Sequence, residues 1–179
     1  MNTKPRSSSA GISLRELVIF GMLAALMYAS KVIMDALPNI HLLSVFVIAM
    51  TVVYRKKALY PLYTFVLLTG LLNGFNLWWI PYLYIWTVLW GAAMLLPRSL
   101  PAKAAPWVYA GLCSLHGFLY GVLYAPFQAL AFGLSFKGML AWIAAGLSFD
   151  LIHGVSNFCC GLLIVPLVKL LKSANHYVR

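Results

Sequence analysis

Asp150, His153 and Asn157 stand at i, i+3 and i+7 of an apolar stretch, so a helix there carries all three on one face. Together they offer a carboxylate acceptor, an imidazole that works in either direction and a two-sided amide. Such a set can grip a polar ligand or bond neighbouring helices to each other, and the spacing allows both. His116, Tyr120, Tyr124 and Gln128 form a second polar stripe, each four residues from the last. Trp79, Tyr82, Trp86 and Trp90 form a third, aromatic set. Trp78 and Trp79 suit a belt of rings at headgroup level. Trp86 and Trp90 fall deeper, where rings can stack on a flat heterocycle for roughly 1–3 kcal/mol per contact. Catalysis is the competing chemistry, with Asp150 and His153 as a base-and-orienter pair. It needs a nucleophile, and the neighbouring Ser156 points off their face. H-E-x-x-H, paired aspartates and G-x-S-x-G are all missing from the sequence, so no enzyme is expected.

The elements that must hold these residues are membrane helices. The chain has 179 residues, 63% of them hydrophobic and only 9% charged, with a mean hydropathy of +0.90. A soluble domain carries roughly 25% charged residues. A crossing needs ~20 helical residues, so six crossings use about 120 and leave short loops with no room for a soluble domain. The net charge of +10 is not read as a nucleic-acid signal, because its placement is that of a lipid-facing rim. Lys4, Arg6 and Arg15 precede the first apolar run, Arg55, Lys56 and Lys57 follow the second, Arg98 and Lys103 follow the fourth, and Lys169, Lys172 and Arg179 close the chain. Only Lys137 falls in the intervening gaps, and Lys31 lies inside a run. Basic residues in short loops stay on the cytoplasmic side. The expected fold class is therefore an all-α membrane protein with six transmembrane helices and both termini cytoplasmic.

The helices are expected at about 14–36, 40–54, 58–73, 79–96, 107–131 and 148–171. Ser13 and Glu16 make a capping box for the first, Pro126 is expected to kink the fifth, and Ser148 to cap the sixth. A short outer interfacial helix is expected over 137–146, between helices 5 and 6, with one continuous helix over 138–171 as the alternative. Residues 1–12 are expected as a disordered cytoplasmic tail, 13–172 as the membrane domain and 173–179 as a second cytoplasmic tail. Cys113, Cys159 and Cys160 lie in apolar runs without C-x-x-C spacing and are read as packing residues. Neither a metal site nor a cofactor is expected. Lys31 and Asp35 are placed to pair along helix 1. Asn39, His41, Asn73 and Asn76 fall in outer loops that could close over a pocket built from the outer halves of helices 4, 5 and 6. Without G-x-x-x-x-G-K-[ST] the chain has no phosphate-cradling loop for ATP, and it lacks the row of buried carboxylates that ion coupling uses.

Gly21, Ala25 and Ala29 repeat every fourth residue on helix 1. In lipid such a stripe lets another helix approach closely. The other helix can belong to this chain or to a partner. Six short helices, cytoplasmic ends and the stripe Ala25-Leu-Met-Tyr-Ala29 make residues 13–172 resemble the substrate-binding S components of energy-coupling factor (ECF) vitamin transporters. Leu37-Pro38-Asn39-Ile40-His41, Trp79-Ile80-Pro81-Tyr82 and the segment Phe149 to Asn157 add to the resemblance. It implies a prokaryotic cytoplasmic membrane and an outward-facing pocket for a vitamin or related micronutrient. It also implies docking of the helix 1 stripe on a transmembrane coupling subunit, and energy from a pair of ATP-binding cassette ATPases. The Arg55-Lys56-Lys57 cluster is read as a lipid anchor or a contact with that machinery. Assembly of other membrane proteins, without transport, is a further alternative.

Overall fold

A computed structural model describes residues 12–176. Lys4, Arg6 and Arg179, with most of the first expected tail and the end of the second, lie outside those residues. The described chain is all-helical. Its helices are α1 (Leu14–Met34), α2 (Leu43–Tyr54), α3 (Leu59–Asn73), α4 (Tyr82–Leu95), α5 (Ala105–Phe118), α6 (Tyr120–Phe132), α7 (Phe136–Gly161) and α8 (Ile164–His176). Short 3-10 turns, Arg55–Ala58 and Leu77–Trp79, precede α3 and α4. Three helical stretches are long and apolar enough to cross a membrane: Leu14–Met34, Ala105–Phe132 and Phe136–Gly161. At 12, 15 and 14 residues, α2, α3 and α4 are shorter than the ~20 of a full crossing.

Why α2 sits at the centre follows from its sequence. Leu-Ser-Val-Phe-Val-Ile-Ala-Met is apolar all round, the pattern of a helix buried on every side. Leu43, Val45, Val47, Ile48, Ala49 and Met50 are indeed buried. α2 packs chiefly on α4 and α8, while α1 lies on α3. The inward face of α1 is Phe20, Leu23, Ala24 and Met27, and its capping box forms as expected, with the Glu16 backbone N–H donating to the Ser13 hydroxyl. Basic side chains gather at one end of the bundle. Arg15 donates to the Ala174 carbonyl at 2.7 Å, Lys57 pairs with Glu16 at 2.7 Å, and Arg55 donates to the Met94 carbonyl at 2.7 Å.

Two expectations for the second half are overturned. No separate interfacial helix exists over 137–146: α7 runs unbroken from Phe136 to Gly161. Its N-cap is Ser135, whose hydroxyl accepts from the Gly138 N–H at 3.2 Å, so Ser148 lies mid-helix and caps nothing. Gly138 and Gly146 weaken a helix only by about 1 kcal/mol each, which neighbouring apolar residues outweigh. The break falls instead at Leu162–Leu163. Pro166 has no N–H to return to the Leu162 carbonyl, which is where the helix ladder is lost. The discontinuity in helix 5 is likewise at Leu119, while Pro126 sits inside α6. Helix α8 continues to His176, past the expected end of helix 6.

The α5–α7 contact is made backbone to backbone. A Cβ on Gly117 would stand 2.8 Å from the His153 carbonyl oxygen and 2.9 Å from the Gly154 Cα, and one on Gly161 would stand 2.7 Å from the Ala110 Cα. Ser114 ties the same pair by donating to the Gly154 carbonyl at 2.8 Å. Gly117→Ala therefore forces the two backbones apart. It is expected to destabilise the detergent-solubilised protein by ~1–3 kcal/mol, the usual cost of overpacking. Gly111 has nothing within 4 Å of an added Cβ, so Gly111→Ala is the matched control. Equal melting temperatures for the two variants would remove the close approach as the reason for Gly117.

Candidate functional site

The helices bring a cluster of rings together between α4, α5, α6, α7 and the loop before α2. His41 lies 4.6 Å from His153 and 5.8 Å from Trp86 between ring centroids. Tyr120 lies 4.8 Å from His153 and 6.1 Å from both Trp86 and His116. Trp86 in turn contacts Tyr82 at 5.6 Å and His116 at 5.6 Å. Tyr124 extends the cluster outward, 6.3 Å from Tyr120 and stacked on Trp142 at 5.9 Å. Beside it, a cavity of about 220 Å³ is lined by Lys31, Asp35, Asn39, His41 and Tyr82, among others. Lys31 and Asp35 pair across its rim at 3.2 Å.

The triplet on α7 faces inward, with Asp150, His153 and Asn157 all buried. Asp150 has a structural task. The Gly121 N–H, at the start of α6, donates to its carboxylate oxygens at 3.0 and 3.2 Å. A helix N-terminus leaves its first N–H groups without intrahelical partners and favours negative charge. Asp150 thus supplies from α7 the cap that Leu119, an apolar residue, cannot give. A Cβ on Gly121 would collide with the Asp150 carboxylate, so glycine is the residue that fits there. Because Tyr120 adjoins Gly121, this cap also fixes where Tyr120 enters the ring cluster.

Hydrogen-bond accounting at the cluster is incomplete, and the remainder is informative. Trp86 Nε1, His116 Nδ1, His153 Nε2, His41 Nδ1 and Asn157 Oδ1 are buried with no partner among the described residues. Trp86, His116, His153 and Asn157 are 1%, 5%, 3% and 0% exposed. A buried polar group left unpaired costs about 1–3 kcal/mol, so several in one place are expected where something else supplies the bonds. Their roles are partly fixed. His116 Nε2 lies 3.2 Å from the Ile85 carbonyl, and a carbonyl only accepts, so Nε2 carries the hydrogen and Nδ1 is a bare acceptor. Asn157 Nδ2 reaches the Cys113 carbonyl and the Ser44 hydroxyl, each at 3.3 Å, which leaves Oδ1 as an acceptor. Trp86 Nε1 can only donate. In the loop before α2, burial among these rings, with the imidazoles of His153 and His116 close by, holds His41 down to about 3, so it is uncharged at neutral pH.

Several expected site residues lie elsewhere. Trp79 donates to the Val66 carbonyl at 2.8 Å and packs its ring against Phe75, which makes it a strut between α3 and the turn before α4. Asn73 accepts from the Tyr28 hydroxyl at 2.9 Å and ties α1 to α3. Asn76 is exposed beside Gly74. Gln128 is half-buried on α6, outside the ring cluster. Trp90 donates to the Arg55 carbonyl at 3.2 Å, at the basic end. Asn39, at φ 61°, stays with the site: it lines the 220 Å³ cavity, and its backbone carbonyl accepts from the Ser156 hydroxyl at 2.9 Å. Ser156 also donates to the His153 carbonyl at 3.0 Å and makes no bond to an imidazole nitrogen. His116, nearer the expected midplane than Tyr120 to Gln128, is central to the cluster. Its signal in the sequence is that it begins the four-residue stripe leading to Tyr120. Among the described residues, no three His, Cys, Asp or Glu side chains converge as a metal cage, and the three cysteines are free.

Scans against protein-family models, curated proteins and solved structures return no match to this chain.

Proposed function

We propose that the chain is the substrate-binding S component of an ECF-type importer, taking a vitamin or related micronutrient from outside the cell for ATP-driven uptake. The observation that carries this reading is the set of unpaired buried polar atoms held among aromatic rings, the composition of a small-molecule pocket. In this reading the six rods α1, α2, α3, α4, α5–α6 and α7–α8 each cross the cytoplasmic membrane. The end that gathers Arg15, Arg55 and Lys57 is cytoplasmic, and the ring cluster faces outward. The reading of helix 1 is supported by exposure. Gly21, Ala25 and Ala29 are all exposed, and nothing lies within 4 Å of a Cβ built on Gly21. That face is free for the coupling subunit, which in turn meets the two ATPases.

The enzyme reading is weaker because Asp150 is engaged by Gly121 and Ser156 by two carbonyls, so Asp150, His153 and Ser156 are not arranged as base and nucleophile. A direct test separates the classes. The purified chain, reconstituted alone into liposomes, is expected to bind the compound that co-purifies with it without accumulating it against a gradient. Uphill accumulation, or conversion of the compound to a product, would each overturn the proposal.

A further inference from the structure

A groove of about 620 Å³ runs along the outer side of α3 and shares no residue with the ring cluster. Lys56 and Lys57 stand at one end, and Tyr60, Tyr63, Thr64 and Leu67 line the rest. The last four recur at three- and four-residue steps, which puts them on one face of the helix. Packing fixes both walls. The Tyr60 ring stacks on Phe20 of α1, with 6.2 Å between ring centroids. The Tyr63 hydroxyl donates to the Leu83 carbonyl at 3.0 Å and lies 2.8 Å from the Thr87 hydroxyl, both on α4. We infer that this groove seats one anionic phospholipid, its phosphate on Lys56 and an acyl chain along Tyr60, Tyr63, Thr64 and Leu67. The step rests on the reading of α3 as a membrane crossing with its basic end at the headgroups. It needs neither the captured ligand nor the coupling subunit.

Charge and length select this occupant. Lys57 gives N–H donors to both Glu16 oxygens, at 2.7 and 2.9 Å. Lys56 is exposed, and among the described residues it has no hydrogen-bond or ion-pair partner. Two lysines against one glutamate leave a net positive charge at the mouth of the groove, and Lys56 carries it. Basic side chains at a membrane surface draw anionic headgroups. From Lys57 to Leu67 the helix climbs about 15 Å at its usual rise, half of the ~30 Å hydrocarbon core. The groove therefore runs the depth of one leaflet, charged at the headgroups and apolar toward the midplane. Tyr60, exposed beside the lysines, stands where tyrosine rings favour the interface. The chain's own first eleven residues are a poor rival for the groove. They carry Lys4 and Arg6 and no acid, so Lys56 repels them.

The experiment uses the full chain, purified in neutral detergent, stripped of lipid and titrated with phosphatidylglycerol or with phosphatidylcholine of the same acyl chains. Native mass spectrometry counts the lipids bound. One phosphatidylglycerol per chain is expected, held at least about 5-fold tighter than phosphatidylcholine, the effect of one lysine at an anionic headgroup. Lys56→Gln is expected to erase that preference and leave phosphatidylcholine binding unchanged. Lys103→Gln, at another exposed lysine, is the control and keeps the preference. Thr64→Trp, also at an exposed position, fills the groove and is expected to weaken both lipids several-fold at an unchanged melting temperature. Leu67→Trp takes its place if that variant melts early. Equal affinity for the two lipids overturns the proposal. So does an equal loss of preference in Lys56→Gln and Lys103→Gln, which marks diffuse attraction to a basic surface. Displacement of phosphatidylglycerol by inorganic phosphate alone overturns it as well, as does wild-type binding of both lipids in the folded tryptophan variant. Each of these failures leaves the capture reading standing, because none of them measures the co-purifying compound.

Discussion

Ala25→Leu and Ala29→Leu are each expected to reduce uptake in intact cells by more than about 10-fold while leaving ligand affinity within a few-fold of wild type. In a bilayer the apolar face of a helix gains nothing by leaving lipid for another apolar helix, so association depends on how closely two backbones fit. An isobutyl group in place of a methyl holds a partner helix off. The substitution is benign for the chain itself. Both alanines are exposed, on the side of α1 away from the inward-facing Phe20, Leu23, Ala24 and Met27. Melting temperature and affinity of the isolated variants are therefore expected to stay near wild type, which separates lost docking from lost folding. An unchanged uptake rate in both variants would count against α1 as the docking face. Bulky exposed side chains already flank the stripe, in Val18, Met22, Leu26 and Ile33, so the groove left by Gly21, Ala25 and Ala29 is narrow and easily filled.

How much of this could be read from sequence depends on the range of the interaction. The capping box of Ser13 and Glu16 spans three residues and the Lys31–Asp35 pair four, and both form as local rules require. Helices α1, α3 and α4 begin and end within a few residues of the hydropathy boundaries. The burial of Asp150, His153 and Asn157 followed from their shared face. Pairings across the fold were not legible. The bond from Gly121 to Asp150 joins residues 29 apart. Only packing reveals that α6 needs a cap at Leu119 and that α7 delivers one. Gly146 misled for the same reason: it is a local breaker whose cost of about 1 kcal/mol tertiary contacts override. Trp79, Asn73 and Asn76 stand out in the sequence because their chemistry suits a ligand. Sequence could not show that Trp79 and Asn73 also bond backbone or side-chain partners on α3 and α1.

His153→Ala is expected to weaken binding of the co-purified compound by ~1–3 kcal/mol, roughly 5- to 150-fold in Kd. His153 joins His41 and Tyr120 in the ring cluster, and its unpaired Nε2 is buried among them. Truncation removes one hydrogen-bonding group and opens space between two rings. Asp150 is expected to act differently, through Tyr120. Asp150→Asn keeps an oxygen that can accept from the Gly121 N–H, so the α6 cap survives in weakened form. Asp150→Leu removes it and leaves a buried donor unpaired. Melting temperature should therefore fall in the order wild type, Asn, Leu, with affinity falling in parallel as Tyr120 loses its position. For His153→Ala the affinity loss should exceed what its own melting temperature accounts for. That contrast distinguishes a ligand contact from a positioning group. Wild-type affinity in both Asp150→Asn and His153→Ala would take the α7 face out of the site and leave its polar residues as ties between helices.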